Sequence, residues 1–335
     1  MKALSSILGM CIVLASVVGC GKDDTQNEIT FKAVVHKSTK APITHSWYAM
    51  TDPEFGIYAF RSEGGQSSLY ISNARCTNDK NPENLWYTTP TSYWPASGTL
   101  TFMAYSPFMA SGVSCDGNSL TVDSFDISSQ DDLLYTIAAD ATGLTAASAG
   151  AQYGYDDGAS TTATGVPIRF RHALSLVEVW VKTDEYSQDF GFQLTSAKLN
   201  GFDLIGSLNV QNSVASWPKT GKSGNFAPAL LNKTDDPINV TATSTIVAND
   251  PVLLIPSSLS DKFLEVSYKM FVKDLSGNSI DGGSVDNMQI PLSGAVTEFL
   301  PGKKYIITLT INGSDMTFNV KPYDWYEANG DINIQ

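Results

Sequence analysis

Charge is scarce in this sequence. Asp, Glu, Lys and Arg make up 16% of 335 residues, against about 25% in an ordinary soluble protein. Cations are scarcer still, with 21 Lys and Arg against 34 Asp and Glu and a formal net charge of −13. A nucleic-acid groove needs clustered Lys and Arg to displace counterions from phosphate. No such run exists, so nucleic acid is not an expected partner. Histidine is limited to His36, His45 and His172, none in HExxH or a comparable metal-ligand spacing. No GxSxG elbow, phosphate-binding loop or GxGxxG turn occurs. The four cysteines contain no CxxC pair, which removes the usual redox motif. After residue 18 no apolar run approaches the ~20 residues of a membrane-spanning helix. No window forms a capped amphipathic helix of about 12 residues. A hydrophobic fraction of 42% excludes wholesale disorder. Gly and Pro, at 26 and 15 residues, are close to average and exclude collagen-like or low-complexity chains. These absences leave no basis for an enzyme, a cofactor or a metal site.

What is present begins at the N-terminus. Residues 1–20 read MKALSSILGMCIVLASVVGC. Lys2 precedes an apolar stretch from Ile7 to Val18, and small residues follow. That is the layout of a secretory signal peptide, too short for a membrane span. Its end, Val17-Val18-Gly19-Cys20, resembles a bacterial lipobox, in which Cys20 carries thioether-linked diacylglycerol and becomes the mature N-terminus. The other reading is an ordinary signal peptide with a chance cysteine. The expectation is that residues 1–19 are removed and 20–27 form a lipidated tether to the outer membrane. Each buried CH₂ contributes ~0.8 kcal/mol, so two or three acyl chains anchor firmly. Gly21-Lys22-Asp23-Asp24 resembles the lipoprotein surface-export signal of Bacteroidetes; the alternative is a plain polar tether. Cys11 leaves with the signal. Cys76 and Cys115 remain as one candidate disulfide or two buried thiols. A bond closing a loop of about 40 residues stabilises by ~3–4 kcal/mol in the chain-entropy model.

The dominant hydrophobic period is two. Ile29, Phe31, Ala33 and Val35 alternate with Thr30, Lys32, Val34 and His36. Leu264, Val266, Tyr268, Met270 and Val272 form a second row, and Tyr305, Ile307, Leu309 and Ile311 a third. Val177, Val179 and Val181 form a fourth. Shorter runs occur at Phe55–Phe60 and Leu100–Tyr105, and Val252–Ile255 is a continuous apolar run between Pro251 and Pro256. Turn clusters separate them at Ser62-Glu63-Gly64-Gly65, Asp116-Gly117-Asn118 and Ser276-Gly277-Asn278. Many short strands with polar turns predict an all-β sandwich, and the length predicts two. The Ala/Gly/Ser/Thr-rich stretch 138–165 marks the boundary, giving domains 28–165 and 166–335. The strand following it, Ile168 to Val181, has the option of completing the first sandwich.

Candidate chemistry is sparse. The acidic pairs Asp131-Asp132, Asp156-Asp157 and Asp235-Asp236 resemble the two carboxylates of glycoside hydrolysis only in composition, because adjacent strand residues face opposite ways. Asp274 to Asp286 lacks EF-hand spacing. His172 is expected to make a structural hydrogen bond. Trp86, Tyr87, Tyr93 and Trp94 offer two readings: core packing, or a flat platform for sugar rings. The second supports an alternative function, a stand-alone surface glycan-binding lipoprotein.

Several blocks together resemble the fimbrillin family of Bacteroidetes, subunits of type V pili. They are Phe55-Gly56-Ile57-Tyr58-Ala59-Phe60; Tyr93-Trp94-Pro95 followed by Leu100 to Pro107; Gln130-Asp131-Asp132-Leu133-Leu134-Tyr135; and Phe170-Arg171-His172-Ala173-Leu174-Ser175. Leu253-Leu254-Ile255-Pro256, Pro301-Gly302-Lys303-Lys304-Tyr305 and a closing strand near Trp325 follow in order. The resemblance implies two transthyretin-like β-sandwich domains in tandem. It also implies export as a lipoprotein precursor, and partners that are other fimbrillin subunits plus a host or bacterial surface ligand. In pilus-building members a protease cuts after a basic residue beyond the first strand, and a neighbour's strand fills the groove left behind. Here Ile29, Phe31, Ala33 and Val35 are the plug. Thr39-Lys40-Ala41 stands where Thr-Arg-Ala is common, so Lys40 or Lys37 is the candidate cleavage site, with Lys in place of Arg. Residues 326–335 hold only Ile332 and Ile334 in alternation, and Pro322 interrupts any extension to Phe318 and Val320. So short a donor favours a tip or accessory subunit over a stalk subunit.

Overall fold

Alternating apolar side chains must bury one face of each strand, and the chain meets that demand with stacked sheets. The computed structural model describes residues 27–35, 54–78, 85–136, 142–145, 165–185, 190–212, 214–220, 229–232, 237–247, 251–276, 278–312 and 315–325. In chain order the first strands are β1 (Thr30–Val35), β2 (Phe55–Glu63), β3 (Gln66–Thr77), β4 (Trp86–Thr89), β5 (Thr99–Ser106), β6 (Val113–Cys115) and β7 (Ser119–Asp126). Next come β8 (Leu134–Thr136), β9 (Val166–His172), β10 (Ser175–Lys182), β11 (Phe190–Asn200), β12 (Ile205–Gln211), β13 (Val214–Thr220) and β14 (Ala229–Asn232). The last are β15 (Ile238–Val240), β16 (Thr245–Ile246), β17 (Val252–Leu254), β18 (Phe263–Lys273), β19 (Ser279–Pro291), β20 (Lys303–Asn312) and β21 (Asp315–Asp324). The fold is all-β. Among the described residues the only other regular element is a 3₁₀ turn at Leu292–Gly294.

The N-terminal strands close into a barrel in the order β1-β4-β3-β2-β5-β8-β9, with β9 returning to β1. The sheet is thus a closed ring rather than an open sandwich layer. β2 and β5 explain their own unbroken apolar runs. Ile57 and Ala59 of β2, with Leu100, Phe102 and Ala104 of β5, fill the barrel interior. Tyr58 and Phe60, with Met103 and Tyr105, face a second core outside it. Strands buried on both faces lose the polar alternation of a solvated sheet. The outer core is roofed by the sheet β13-β12-β7-β6, through Leu120 and Val122 of β7 and Leu208 and Val210 of β12.

The C-terminal strands form two further sheets, β16-β10-β20-β21 with β17 on β10, and β14-β11-β18-β19 with β15 on β11. Val177, Val179, Val181, Ile307 and Leu309 from one sheet share a core with Phe192, Leu194, Leu264, Val266 and Tyr268 from the other. Two described strands beyond residue 165 pair with strands before it. β9 lies parallel to β1 and antiparallel to β8, so it completes the first sheet. β12 pairs with β7 over Ile205–Gln211.

Two local devices support the barrel. Gly64 and Gly65, at φ +58° and +79°, form the two-residue hairpin loop between β2 and β3, where Glu63 pairs with Gln66; that loop demands positive φ. Gly56 pairs with Tyr105, and a Cβ at residue 56 would stand 2.3 Å from Tyr105 Cε1. Tyr105 is 0% exposed, and its hydroxyl lies 2.7 Å from Asn73 Oδ1 and 2.8 Å from Met109 O. The ring has nowhere to retreat. Gly56→Ala is expected to destabilise by about 1–3 kcal/mol through overpacking, read as a lower denaturant midpoint. Ser72→Ala, on the exposed side of β3, is expected to stay within about 0.5 kcal/mol of wild type.

Candidate functional site

The residues expected to form the first strand lie on and beside β1, which sits between β4 and β9. β1 runs parallel to β9, pairing Phe31–Val35 with Val166–Phe170. On its other side it is antiparallel to β4, pairing Thr30 with Tyr87 and Phe31 with Trp86. Ahead of the strand, Ile29 N donates to Ser92 O at 2.8 Å and Trp94 N to Asn27 O at 2.9 Å. Ile29 and Phe31 are 0% exposed. The Phe31 ring meets Phe55 and Phe102 edge-on, with centroids 6.2 and 5.5 Å away. Phe55 in turn touches Trp86 and Phe170. Ala33 is half-buried against the same cluster, and Val35 ends the strand opposite Phe170. Alternate residues of β1 thus fill the barrel interior while its backbone bridges β4 and β9. Without it, two strand edges and an aromatic-lined cavity would face water, which is the physical setting for strand addition.

Other predicted residues are distributed differently. Cys20, Lys37, Lys40, His36, His45, Asp156-Asp157 and Asp235-Asp236 lie outside the described residues. Trp86 and Trp94 are 4% and 8% exposed, inside the barrel core. The sugar platform drawn from them is therefore corrected to core packing: only Tyr93, 43% exposed, offers much surface. Asp274 caps its own turn, accepting from Ser276 N and Asn278 N at 2.8 Å. Cys76 and Cys115, the candidate disulfide, are free thiols in separate cores. Cys76 points into the barrel, whereas Cys115 packs on the outer core with its Sγ 3.3 Å from Met103 Sδ. Burial pushes the Cys76 thiol well above its ordinary range and the Cys115 thiol up to about 11. A raised pKa keeps the thiol protonated below that pH, and only the thiolate reacts. At pH 8 native Cys115 is expected to alkylate with iodoacetamide at roughly a hundredth of the rate of an ordinary thiol, faster as pH approaches 11. Intact-mass measurement on native and unfolded chain checks this.

A family model described as fimbrillin-like matches residues 39–325. The chain belongs to the fimbrillin-like family. Among solved structures it resembles a fimbrial protein from Bacteroides vulgatus, 17% identical with a TM-score of 0.63, over 89% of this chain and 100% of that one. A candidate cell-adhesion protein from Bacteroides ovatus is 13% identical with a TM-score of 0.50, covering 90% of this chain and 98% of its own. Another from Bacteroides uniformis is 17% identical with a TM-score of 0.49, covering 89% and 98%. At these identities the likeness concerns the fold. No curated protein matches the chain.

Four of the fimbrillin-like blocks, at 130–135, 170–175, 253–256 and 301–305, are tied together with Trp325 where the barrel meets the C-terminal sheets. Gln130 grips β17 with both ends of its amide: Nε2 donates to Leu253 O at 3.2 Å and Oε1 accepts from Leu253 N at 2.8 Å. Asp132 Oδ2 lies 2.6 Å from His172 Nδ1. The His172 ring stacks on Trp325, with centroids 3.6 Å apart and planes at 15°. Ala173 N donates to Leu133 O at 2.8 Å, and Ala173 O accepts from Trp217 Nε1 at 2.9 Å. Gly302 N donates to Leu174 O at 2.9 Å. His172 therefore has the structural partner expected of it, in the Gln130–Tyr135 block. Gln130 and Trp217 had no recognisable role in the sequence, because nothing local marks a residue that bonds to a strand far away in the chain.

Proposed function

We propose that this fimbrillin-like chain is a cell-surface fimbrial subunit, exported as a lipoprotein on Cys20 and assembled by strand exchange. Proteolysis after Lys37 or Lys40 releases the first strand, and a strand of another subunit enters the groove. The observation that carries the reading is the position of β1. It is short, it lies near the chain's N-terminal end, and Ile29 and Phe31 supply fully buried side chains to a barrel that the strand itself closes. A donor with the same alternation would restore both backbone ladders and refill the cavity. The short alternation in residues 326–335 suits a tip or accessory subunit. Its partners are then other fimbrial subunits, the outer membrane through the lipid, and a surface ligand. The family as a whole points to adhesion rather than catalysis.

The test is digestion of the mature chain with a trypsin-like protease, followed by mass spectrometry and denaturant-resistant gel electrophoresis. Wild type is expected to lose the segment ending at Lys37 or Lys40 and then form an oligomer ladder. The doubly substituted chain, Lys37→Ala with Lys40→Ala, is expected to stay monomeric. Release of the strand with no ladder under any condition sinks the assembly reading. The anchor is tested separately: Cys20→Ser should abolish acyl labelling and membrane fractionation.

A further inference from the structure

We propose that the corner of the barrel carrying Leu69, Tyr70 and Tyr93 rests on the lipid surface that holds the Cys20 anchor. The proposal rests on the lipidation of Cys20 and adds a second membrane contact to it. Among the described residues eight large apolar side chains are exposed. The three that belong to the barrel and its connections are Leu69, Tyr70 and Tyr93, at 52%, 40% and 43%. The Tyr70 hydroxyl donates to Tyr93 O at 2.8 Å, which ties β3 to the segment after β4. That segment is also where the tether leaves the fold. Glu28 bridges to Tyr93, Ile29 N donates to Ser92 O at 2.8 Å, and Trp94 N donates to Asn27 O at 2.9 Å.

Local geometry explains why two neighbours in one strand are both exposed. Ala59 pairs with Ile71 and Phe60 with Leu69, which leaves Tyr70 as the extra residue of a bulge. A bulge bends its strand and re-aims the side chains. The tether then decides the occupant. Seven peptide links join Cys20 to Asn27, and such a length spans at most about 25 Å in any conformation. An anchored chain therefore cannot carry Tyr93 far from the lipid headgroups. Tyrosine joins an apolar ring to a hydroxyl and is enriched at membrane–water interfaces. Three side chains alone would hold a bilayer weakly. A short tether makes the contact intramolecular, with an effective concentration in the millimolar range. Arg61, beside Leu69's partner Phe60, is paired with Glu63 at 2.7 Å, so their charges offset each other next to the patch. Another protein could also cover an apolar patch, but the position at the root of the tether favours lipid. Cleavage after Lys37 or Lys40 separates the body from the tether, so the contact belongs to the uncleaved chain.

Hydroxyl-radical footprinting read by mass spectrometry tests the contact. The acylated, uncleaved chain is placed on phosphatidylethanolamine–phosphatidylglycerol vesicles, and the Cys20→Ser chain in solution is the reference. Leu69, Tyr70 and Tyr93 are expected to be protected about threefold or more, while Leu275 and Ile280 of the β18–β19 hairpin stay unchanged. The doubly substituted chain, Tyr70→Ser with Tyr93→Ser, should remain on the vesicles through its acyl chains yet lose the protection of Leu69. An acylated, vesicle-bound wild-type chain with these residues unprotected overturns the contact and leaves the anchor standing. Unchanged protection of Leu69 in the double variant also overturns it. A chain that carries no acyl group overturns contact and anchor together. Protection that appears in the soluble Cys20→Ser chain as its concentration rises assigns the patch to a second copy of the chain and overturns the lipid contact.

Discussion

Phe31→Ala is expected to lower the free energy of unfolding by about 3–5 kcal/mol, the usual cost of emptying a buried aromatic site. Three features place the value in the upper part of the large-to-small range. Phe31 is 0% exposed, so the whole transfer contribution is lost. Its neighbours Phe55 and Phe102 are themselves 0% exposed and packed edge-on, so they relax poorly into the space. The strand carrying it has only a two-residue pairing with β4 on one side, so side-chain burial must supply much of its hold. Phe31→Leu keeps most of the volume and is expected to cost under about 1.5 kcal/mol. Ile29→Val should cost about 0.5–1.5 kcal/mol. Phe31→Ala should also release the first strand faster under limited proteolysis than either of the other two variants. A Phe31→Ala chain within 1 kcal/mol of wild type would mean that β1 is not what seals the barrel.

The strands themselves were legible, because period two is a local signal. The rows beginning at Ile29, Leu264 and Tyr305, and the runs at Phe55 and Leu100, all became strands, β1, β18, β20, β2 and β5. Their partners were not legible. β1 lies parallel to β9, about 135 residues further along the chain, and hydrophobic pattern carries no information on which distant strand completes a sheet. For the same reason the closure of the barrel and the return of β12 to β7 were hidden. The Trp86–Trp94 cluster shows a second limit. Composition marks an aromatic as useful on a surface or in a core, and only the closed barrel decides between them. The burial of Ile29 and Phe31 was readable because a strand covered on one face must alternate. The joint between the barrel and the C-terminal sheets was not, since Gln130, His172 and Trp325 do their work through contacts made across the whole fold.

An equally large and less obvious effect is expected at Lys304. The Pro301–Tyr305 block holds two adjacent lysines, and strand alternation sends them to different surroundings. Lys303 pairs with Asp324 at the surface, with side chains 38% and 29% exposed, and Lys303→Ala should cost no more than about 1 kcal/mol. Lys304 Nζ lies 2.7 Å from Glu178 Oε1, with side chains only 9% and 11% exposed, and Trp180 Nε1 donates to the other carboxylate oxygen at 3.3 Å. The pair links β10 and β20, the parallel neighbours at the centre of their sheet. Lys304→Met leaves a mostly buried carboxylate without its cation, and such half-deletions cost about 3–5 kcal/mol. Glu178→Leu strands the ammonium and should cost a similar amount. The double variant removes both charges and both desolvation penalties, so it is expected to return close to wild-type stability. A double-mutant cycle in denaturant reads the coupling directly. If both single variants lie within 1 kcal/mol of wild type, water reaches the pair and Lys304 behaves as Lys303 does. If the singles are costly and the double is not rescued, packing of the two aliphatic stems rather than charge holds these strands together.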